Sequence, residues 1–434
     1  MALGAFAASD EAARRVRVYR RISWRLLPFL FACFLAAYLD RVNVGFAKLQ
    51  MADELHLSNG VYGLGAGLFF LSYAACEVPS NLLLHRVGAR RWLARIMVSW
   101  AAVSALSALV RTPAEFYLSR FLLGIAEAGF APGVLLYLTT WFPAVRRARA
   151  VALFFTAIAA AGAIGAPLSG GIMAAMNGVG GIGGWRWLFV IEAVPALVTG
   201  ILAFRLLPDR PEAASWLSAA EKRLVRDDLL ADEASRGMHG SVGAFLRDRR
   251  LWLLCVIYVA VVMGQYAITF WLPTIVKQAG IGDPLSNGLV TAIPFVVTIA
   301  AMMALGRSAD RRRTRRLHLM LPMAVGAAAL VAAPAAYGHL ALSMVLLSAA
   351  AAGLMGATPM FWPLPPAFLR GFWAAAGIAA INAVGNLGGF LSPFLIGRVV
   401  DATGSLPAGL YAIAAIELVG MALVLGIRGH EVNR

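Results

Sequence analysis

Residues 26–46 read LLPFLFACFLAAYLDRVNVGF, an almost unbroken apolar run that carries one acid–base pair, Asp40–Arg41, near its end. A helix of about 20 apolar residues crosses a bilayer, and around twelve runs of that length can be marked along the chain. With 60% hydrophobic and 14% charged residues, the chain is too apolar for a soluble domain. The predicted spans are 26–46, 60–84, 92–110, 115–140, 150–175, 185–206, 251–276, 286–308, 317–337, 340–363, 372–398 and 406–427.

Two sets of motifs recur in the first and second parts of the chain at nearly the same separation. The segment Asn81–Arg86 resembles Gly306–Arg311, and a pattern of the fifth span is repeated in the eleventh. Such duplication predicts an all-α polytopic membrane protein whose twelve transmembrane helices form two pseudo-symmetric six-helix bundles. Proteins of this kind bind their substrate near the bilayer midplane, between the halves. The repeated residues are Gly162, Gly165, Leu168 and Ser169, matched by Gly385, Gly388, Leu391 and Ser392.

The longest polar stretch runs from Pro208 to Arg250, between the sixth and seventh spans. Its charged run favours an amphipathic helix that lies on the membrane surface. The predicted organisation is a cytoplasmic N-terminal tail (1–25), a first six-helix half (26–206), a cytoplasmic linker (207–250), a second six-helix half (251–427) and a cytoplasmic C-terminal tail (428–434).

The net charge of +16 is distributed unevenly along the chain. Most of the 38 Lys and Arg residues fall in the tails, the linker and the loops on one side of the predicted spans. This asymmetry follows the positive-inside rule, so we expect a multi-pass protein of the bacterial cytoplasmic membrane with both termini in the cytoplasm. The basic charge therefore indicates topology and contact with membrane lipids. It does not indicate a nucleic-acid partner.

Two acid–base pairs lie well inside predicted spans: Asp40 with Arg41 in the first, and Arg120 with Glu127 in the fourth. A charge at membrane depth costs several kcal/mol and is by default a functional-site hypothesis. Burial favours the protonated form of a carboxyl group and a neighbouring Arg opposes it, so Asp40 and Glu127 are candidate proton-coupling residues. Arg41 and Arg120 are candidate substrate ligands, because a guanidinium fork matches a carboxylate. The alternative is a static ion pair that only locks the helices.

Helix geometry separates the roles of these four residues. Arg120 and Glu127 are two turns apart and share one helix face, whereas Asp40 and Arg41 point about 100° apart. We therefore expect one member of the Asp40–Arg41 pair to touch substrate and the other to organise a neighbouring helix. This assigns Arg41 to the substrate and gives Arg120 mainly to the charge network.

Several polar or aromatic residues lie at membrane depth and could form the remaining wall of the site. Hydrogen bonding between helices is the alternative role for such residues, and core packing is the alternative for the tryptophan. Three further acids, Glu77, Glu192 and Glu417, lie toward helix ends or against small residues and are expected to be structural partners of loop arginines. The candidate substrate ligands are Tyr38, Tyr73, Gln265, Tyr266, Trp362, Asn382 and Asn386.

The loop after the second span reads HRVGARR, from His85 to Arg91. This segment resembles the inner-loop signature of the major facilitator superfamily, except that His85 stands where an acid is usual. The second-half copy keeps the acid as Asp310. The resemblance implies that both loops act in conformational switching, through His85, Arg86, Arg90, Asp310 and Arg311.

Further motifs lie at Tyr38–Asn43, Tyr73 with Glu77–Leu82, Arg120–Gly129, Trp141–Pro143, Trp185–Glu192 and Phe361–Pro365. Together they resemble the anion:cation symporter family, in particular its bacterial permeases for tartrate, phthalate and 4-hydroxyphenylacetate. The resemblance implies proton acceptance by Asp40 and Glu127 and substrate contacts near Tyr38, Tyr73 and one Asn of the eleventh span. Ile158 stands where sugar-acid permeases of that family carry Gln, which favours a less hydroxylated acid.

The predicted function is a secondary active transporter that imports an organic carboxylate by proton symport through alternating access, as a monomer and without a cofactor. In the expected cycle, protons on Asp40 and Glu127 free Arg41 to clamp the substrate carboxylate. The alternatives are an exchanger or facilitator of organic anions, a channel, or a membrane-embedded enzyme. An enzyme is disfavoured because the six His residues are dispersed and the three Cys residues lack metal-ligand spacing, so no metal site is expected.

Overall fold

The computed structural model describes residues 2–234, 247–336, 338–365 and 372–428. Within these ranges the chain is helical, and twelve helices are long and apolar enough to cross a membrane. The predicted fold class is therefore confirmed. The helices are α1 (Ala2–Glu54), α2 (Asn59–Val87), α3 (Ala89–Leu106), α4 (Pro113–Glu127), α5 (Phe130–Thr139), α6 (Ala144–Ala175), α7 (Gly184–Leu206), α8 (Ala219–Ala234), α9 (Arg249–Gln278), α10 (Pro284–Arg312), α11 (Arg315–Ala332), α12 (Leu340–Phe361), α13 (Phe372–Thr403) and α14 (Leu406–Val424).

The predicted linker 207–250 and tail 428–434 extend beyond the described residues, at 235–246 and 429–434. Helix α8 lies in the described part of the linker and packs against the start of α1. Arg15 Nε and the Tyr19 hydroxyl each donate to Asp228, both at 3.2 Å, and Arg21 pairs with Glu221 at 3.1 Å. The acidic face of α8 thus covers the basic start of α1. Part of the charged face of the predicted amphipathic helix is therefore used in contacts with α1.

The fourth span, predicted over 115–140, is divided into α4 and α5. Helix α4 ends at Glu127, and Gly129 adopts the left-handed conformation with φ +85°. The Ser80 hydroxyl donates to the Ala128 carbonyl oxygen at 2.7 Å, which satisfies a backbone group that the break leaves open. An added Cβ at Gly129 would lie 2.4 Å from Ser80 Oγ, so both the backbone angle and the space require glycine here.

An even number of spans in each half places the start of α1, helix α8 and the end of α14 at one end of the bundle. We call this the terminal end, and the opposite end, which carries the turns 55–58 and 404–405, the distal end. The first half (α1–α7) and the second half (α9–α14) pack most extensively through α2 against α13 and α6 against α10.

The closest backbone contacts between the halves lie toward the distal end. An added Cβ at Gly63 would lie 2.2 Å from the Pro393 carbonyl oxygen, and one at Gly288 would lie 2.4 Å from that of Ala166. Small residues permit such approach, and any side chain would hold the helices apart. The distal end is therefore closed in this structure.

A carboxylate from the second half completes this closure. Asp401, near the end of α13, accepts hydrogen bonds from the Ser58 hydroxyl (2.7 Å) and from the backbone N–H groups of Asn59 (3.0 Å) and Gly60 (2.8 Å). Ser58 is the N-cap of α2, and Asn59 and Gly60 are its first two residues. Asp401 therefore satisfies helix N-terminal donors across the interface between the halves. We call Asp401 with residues 58–60 the distal clasp.

Candidate functional site

The centre of the site is an ion pair between α1 and α4. Arg41 Nη2 donates to Glu127 Oε1, and both side chains are buried, with Glu127 only 1% exposed. Glu127 is the last residue of α4, directly before the break in the fourth span. Arg41 Nε and Glu127 Oε2 have no hydrogen-bond partner among the described residues. The pair therefore keeps hydrogen-bonding capacity that a ligand can use.

Aromatic rings surround the Arg41 guanidinium. Its Cζ lies 4.9 Å from the ring centroid of Tyr38, 5.2 Å from that of Phe69 and 5.3 Å from that of Tyr73. Ring faces stabilise a cation in a site that water reaches poorly. They do so without supplying a competing negative charge, so the guanidinium remains able to bind an anion.

The second half contributes Tyr266 of α9 to the same region. Tyr266 lies within electrostatic range of Arg41 and hydrogen-bonding range of Tyr38. Its ring is held edge-on to Phe70 at 4.5 Å and stacked on Phe270 at 5.5 Å. Arg41 thus faces the interface between the halves, where a substrate can touch both.

Asp40 points away from Arg41, into the first half. Trp100 Nε1 donates to its Oδ2 at 2.8 Å, while the Ser104 hydroxyl (2.8 Å) and Asn43 Nδ2 (3.3 Å) donate to its Oδ1. The expected divergence of Asp40 and Arg41 is seen in these contacts. One expectation about the cycle needs correction: Asp40 makes no ion pair with Arg41, so its protonation alone frees no guanidinium. Among the acids that the structure describes, Glu127 is the one that pairs with Arg41 and whose protonation would free the guanidinium.

Arg120 is buried beside the ion pair, 1% exposed, with Cζ at 5.2 Å from the Phe69 ring centroid. Its Nε and Nη2 have no hydrogen-bond partner among the described residues. Arg41, assigned to the substrate, thus also belongs to the charge network, and Arg120, assigned to the network, has two buried N–H groups without a described partner.

The remaining candidates from the second half occupy different settings. Gln265 Oε1 accepts a hydrogen bond from the Thr358 hydroxyl at 2.9 Å, which is an interhelical contact. Asn386 Nδ2 donates to Glu77 Oε2 of the first half at 3.4 Å. Trp362 packs edge-on against Tyr258 at 4.9 Å, and Asn382 is half-buried.

Comparison with known proteins identifies the family. The model of the Major Facilitator Superfamily matches residues 30–427. The chain belongs to the Major Facilitator Superfamily. It is 45% identical to a metabolite transport protein named NicT from Pseudomonas putida, over 96% of each chain. It is 44% identical to a protein named as a tartrate transporter from Agrobacterium vitis, over 94% of this chain and 91% of the relative.

The fold also matches a solved structure. A bacterial homologue of the human lysosomal transporter Spinster superposes with a TM-score of 0.75 over 93% of this chain and 96% of that one, at 15% identity. The protein is therefore a multi-pass membrane transporter of the Major Facilitator Superfamily and not an enzyme.

Most residues assigned to conformational switching lie on the surface of this transporter, and Arg90 contacts a carboxylate. His85 and Arg86 are exposed, and so are Asp310 and Arg311 at the end of α10. The Arg90 backbone N–H donates to Asp209 Oδ1 at 2.8 Å. Asp209 follows α7, so the end of the sixth span brings a carboxylate to the loop in which His85 replaces the usual acid.

Two buried acids of the transporter were assigned wrongly from the sequence. Glu192 of α7 is 1% exposed and accepts a hydrogen bond from the Ser169 hydroxyl at 2.7 Å. Glu417 of α14 is fully buried, and an added Cβ at Gly264 would lie 1.9 Å from its Oε1. Both lie inside the halves and not beside loop arginines. Their near-equivalent positions in the internal repeat were the signal that could have separated them from loop-facing acids.

Proposed function

We propose that the protein is a secondary active transporter that imports a small organic carboxylate together with protons by alternating access. The observation that carries the proposal is the buried Arg41–Glu127 ion pair, whose Arg41 faces the second half. A membrane protein retains a buried ion pair at a cost in stability. A functional reason to keep the pair is that Arg41 can release Glu127, when Glu127 is protonated, and bind a substrate anion instead.

The proposed coupling step is an exchange of partners at Arg41. A proton on Glu127 removes its negative charge, and the guanidinium then binds the substrate carboxylate in place of Glu127. Loss of that proton restores the ion pair and expels the carboxylate. Proton binding and substrate binding therefore favour each other through a single cation, which is the linkage that symport requires.

The closed distal end supports alternating access. The distal clasp and the glycine contacts at Gly63 and Gly288 hold the halves together on that side. In the proposed cycle these contacts break when the halves rock about the central site, which then opens toward the distal end. We propose that the termini lie in the cytoplasm of a bacterial cell, so that the distal end faces outward.

The aromatic surroundings of Arg41 and the apolar Ile158 favour a small acid with an apolar or aromatic part over a sugar acid. The relative from Agrobacterium vitis, named as a tartrate transporter, makes short hydroxy acids the second class to compare. The proposed cycle needs no cofactor, because the proton gradient drives it, and no second copy of the chain. Its further contacts are with membrane lipids.

Uptake into proteoliposomes with an imposed inward proton gradient tests this function. The panel comprises benzoate-like aromatic acids, tartrate and a sugar acid such as gluconate, each offered as labelled substrate or competitor. Accumulation above the external concentration that disappears with a protonophore supports symport. If an accepted acid enters only in exchange for internal acid and ignores the proton gradient, the protein is an exchanger and the proposal fails.

A further inference from the structure

A second buried carboxyl group lies beside Asp40. Glu192 of α7 accepts from the Ser169 hydroxyl through Oε1 and is within hydrogen-bonding range of Asn43. Asn43 in turn donates through Nδ2 to Asp40 Oδ1 at 3.3 Å. Ser169, Glu192, Asn43 and Asp40 thus form a continuous polar chain inside the first half, on the side of Asp40 away from Arg41.

Two atoms of this chain have no hydrogen-bond partner among the described residues: Glu192 Oε2 and Asn43 Oδ1. Both are acceptors when Glu192 is ionised, so they cannot satisfy each other, and buried unsatisfied groups are costly. A proton on Glu192 Oε2 turns that oxygen into a donor, and Asn43 Oδ1 is an acceptor in the same chain that has none. One added proton therefore supplies a donor where both oxygens lack one.

The charges around Asp40 and Glu192 also indicate one bound proton. Arg41 is engaged with Glu127, and Arg120 of α4 is the cation within electrostatic range of Asp40, together with the negative Glu127. From α3, Trp100 and Ser104 offer only neutral hydrogen bonds. Arg120 can balance one of the two carboxylates, and the other requires a proton to be neutral in this environment.

We propose that Asp40 and Glu192 form a proton-binding pair that holds one proton between them. The orientation of the Asn43 amide depends on which of the two residues carries the proton. With the proton on Glu192, Asn43 Oδ1 accepts from Glu192 and Nδ2 donates to ionised Asp40. With the proton on Asp40, the amide is turned over: Oδ1 accepts from Asp40 and Nδ2 donates to ionised Glu192. Each arrangement satisfies both ends of the amide, and the proton enters from solution and returns to it.

The internal repeat supplies a matched control. Glu417 stands in α14 near the position of Glu192 in α7, is equally buried, and has no hydrogen-bond partner for either oxygen among the described residues. It packs against Gly264 of α9, whereas Glu192 is within range of Asn43 and Asp40. A merely structural buried acid should therefore behave like Glu417.

Infrared spectroscopy of the carboxylic C=O stretch, on the full chain in lipid and without substrate, tests the pair. Titration of the wild type, Asp40→Asn, Glu192→Gln and Glu417→Gln assigns each band by its loss. We expect Glu192→Gln to move the pH at which the Asp40 band appears by roughly one pH unit or more, as for strongly interacting sites. Asp40→Asn should move the Glu192 band by the same amount, since coupling is reciprocal. Glu417→Gln should remove its own band and move neither.

The inference keeps the role as a proton site that the sequence predicts for Asp40 but needs no transport, so its failure is separate from failure of the proposed function. An Asp40 band that stays in place in Glu192→Gln would overturn it. If that variant does not fold, Asn43→Ala provides a second test, because loss of the bridging amide should abolish the fixed C=O environment of the protonated Glu192. An unchanged Glu192 band in Asn43→Ala would also overturn the proposal.

Discussion

Removal of the distal clasp should shift this transporter toward a state that is open at the distal end. Asp401→Ala deletes three hydrogen bonds to the start of α2, all made across the interface between the halves. Loss of a helix N-cap costs about 0.5–2 kcal/mol, and the charge contributes a few tenths to about 1 kcal/mol more at an exposed helix end. Exposure of this cluster favours the lower part of that range, about 1–2 kcal/mol. The ratio of closed to open distal ends should then fall by about 5–30-fold.

Spin-label distances across the distal end measure this ratio. Labels at Val179 in the first half and Leu340 in the second, both exposed, report separation of the halves after the native cysteines are replaced. Asp283→Ala is the matched control, because Asp283 caps α10 through the Ser286 N–H at 2.8 Å within its own half. We expect a longer distance to gain population in Asp401→Ala only. The reasoning would be refuted if Asp401→Ala and Asp283→Ala gave the same distance distribution. It would also be refuted if the distribution in Asp401→Ala equalled that of the wild type.

Three further predictions follow from the site and the interface. Glu127→Gln should abolish proton-driven accumulation while substrate exchange continues, because a neutral amide mimics the protonated acid; uphill uptake at the wild-type level would contradict the coupling step. Arg41→Lys should weaken substrate binding about tenfold or more, about 1.4 kcal/mol, since an ammonium cannot form the planar two-point contact; binding isotherms with an accepted acid measure this. Gly288→Ala should lower the closed fraction in the spin-label assay, because its Cβ would meet the Ala166 carbonyl oxygen at 2.4 Å, whereas Gly282→Ala should not, since nothing lies within 4 Å of its Cβ.

The number of spans and the position of the four central charges were predictable, because both depend on local sequence. Apolar length defines a span, and a charge within a span stands out against it. The divergence of Asp40 and Arg41 also followed from helix geometry. These features need no knowledge of which helices are neighbours.

Pairings between distant helices were not predictable in the same way. The sequence does not show whether Asp40 or Arg41 lies beside Glu127, because the choice depends on the rotation of α1 against α4. The break after Glu127 was hidden in an apolar run, and only the requirement for glycine at Gly129 marks it. Glu192 and Glu417 resembled loop-facing acids until the packing of α7 and α14 showed that they are buried.

Simultaneous measurement of proton and acid fluxes tests the central claim, that a proton on Glu127 and the substrate carboxylate bind together at Arg41. Proteoliposomes without a pre-set gradient, held at zero membrane potential, receive an accepted acid while external pH and internal label are recorded. The account predicts that protons disappear from the medium in step with acid uptake in the wild type. It predicts no proton movement in Glu127→Gln, although labelled acid still exchanges. Acid entry without proton uptake in the wild type would contradict it.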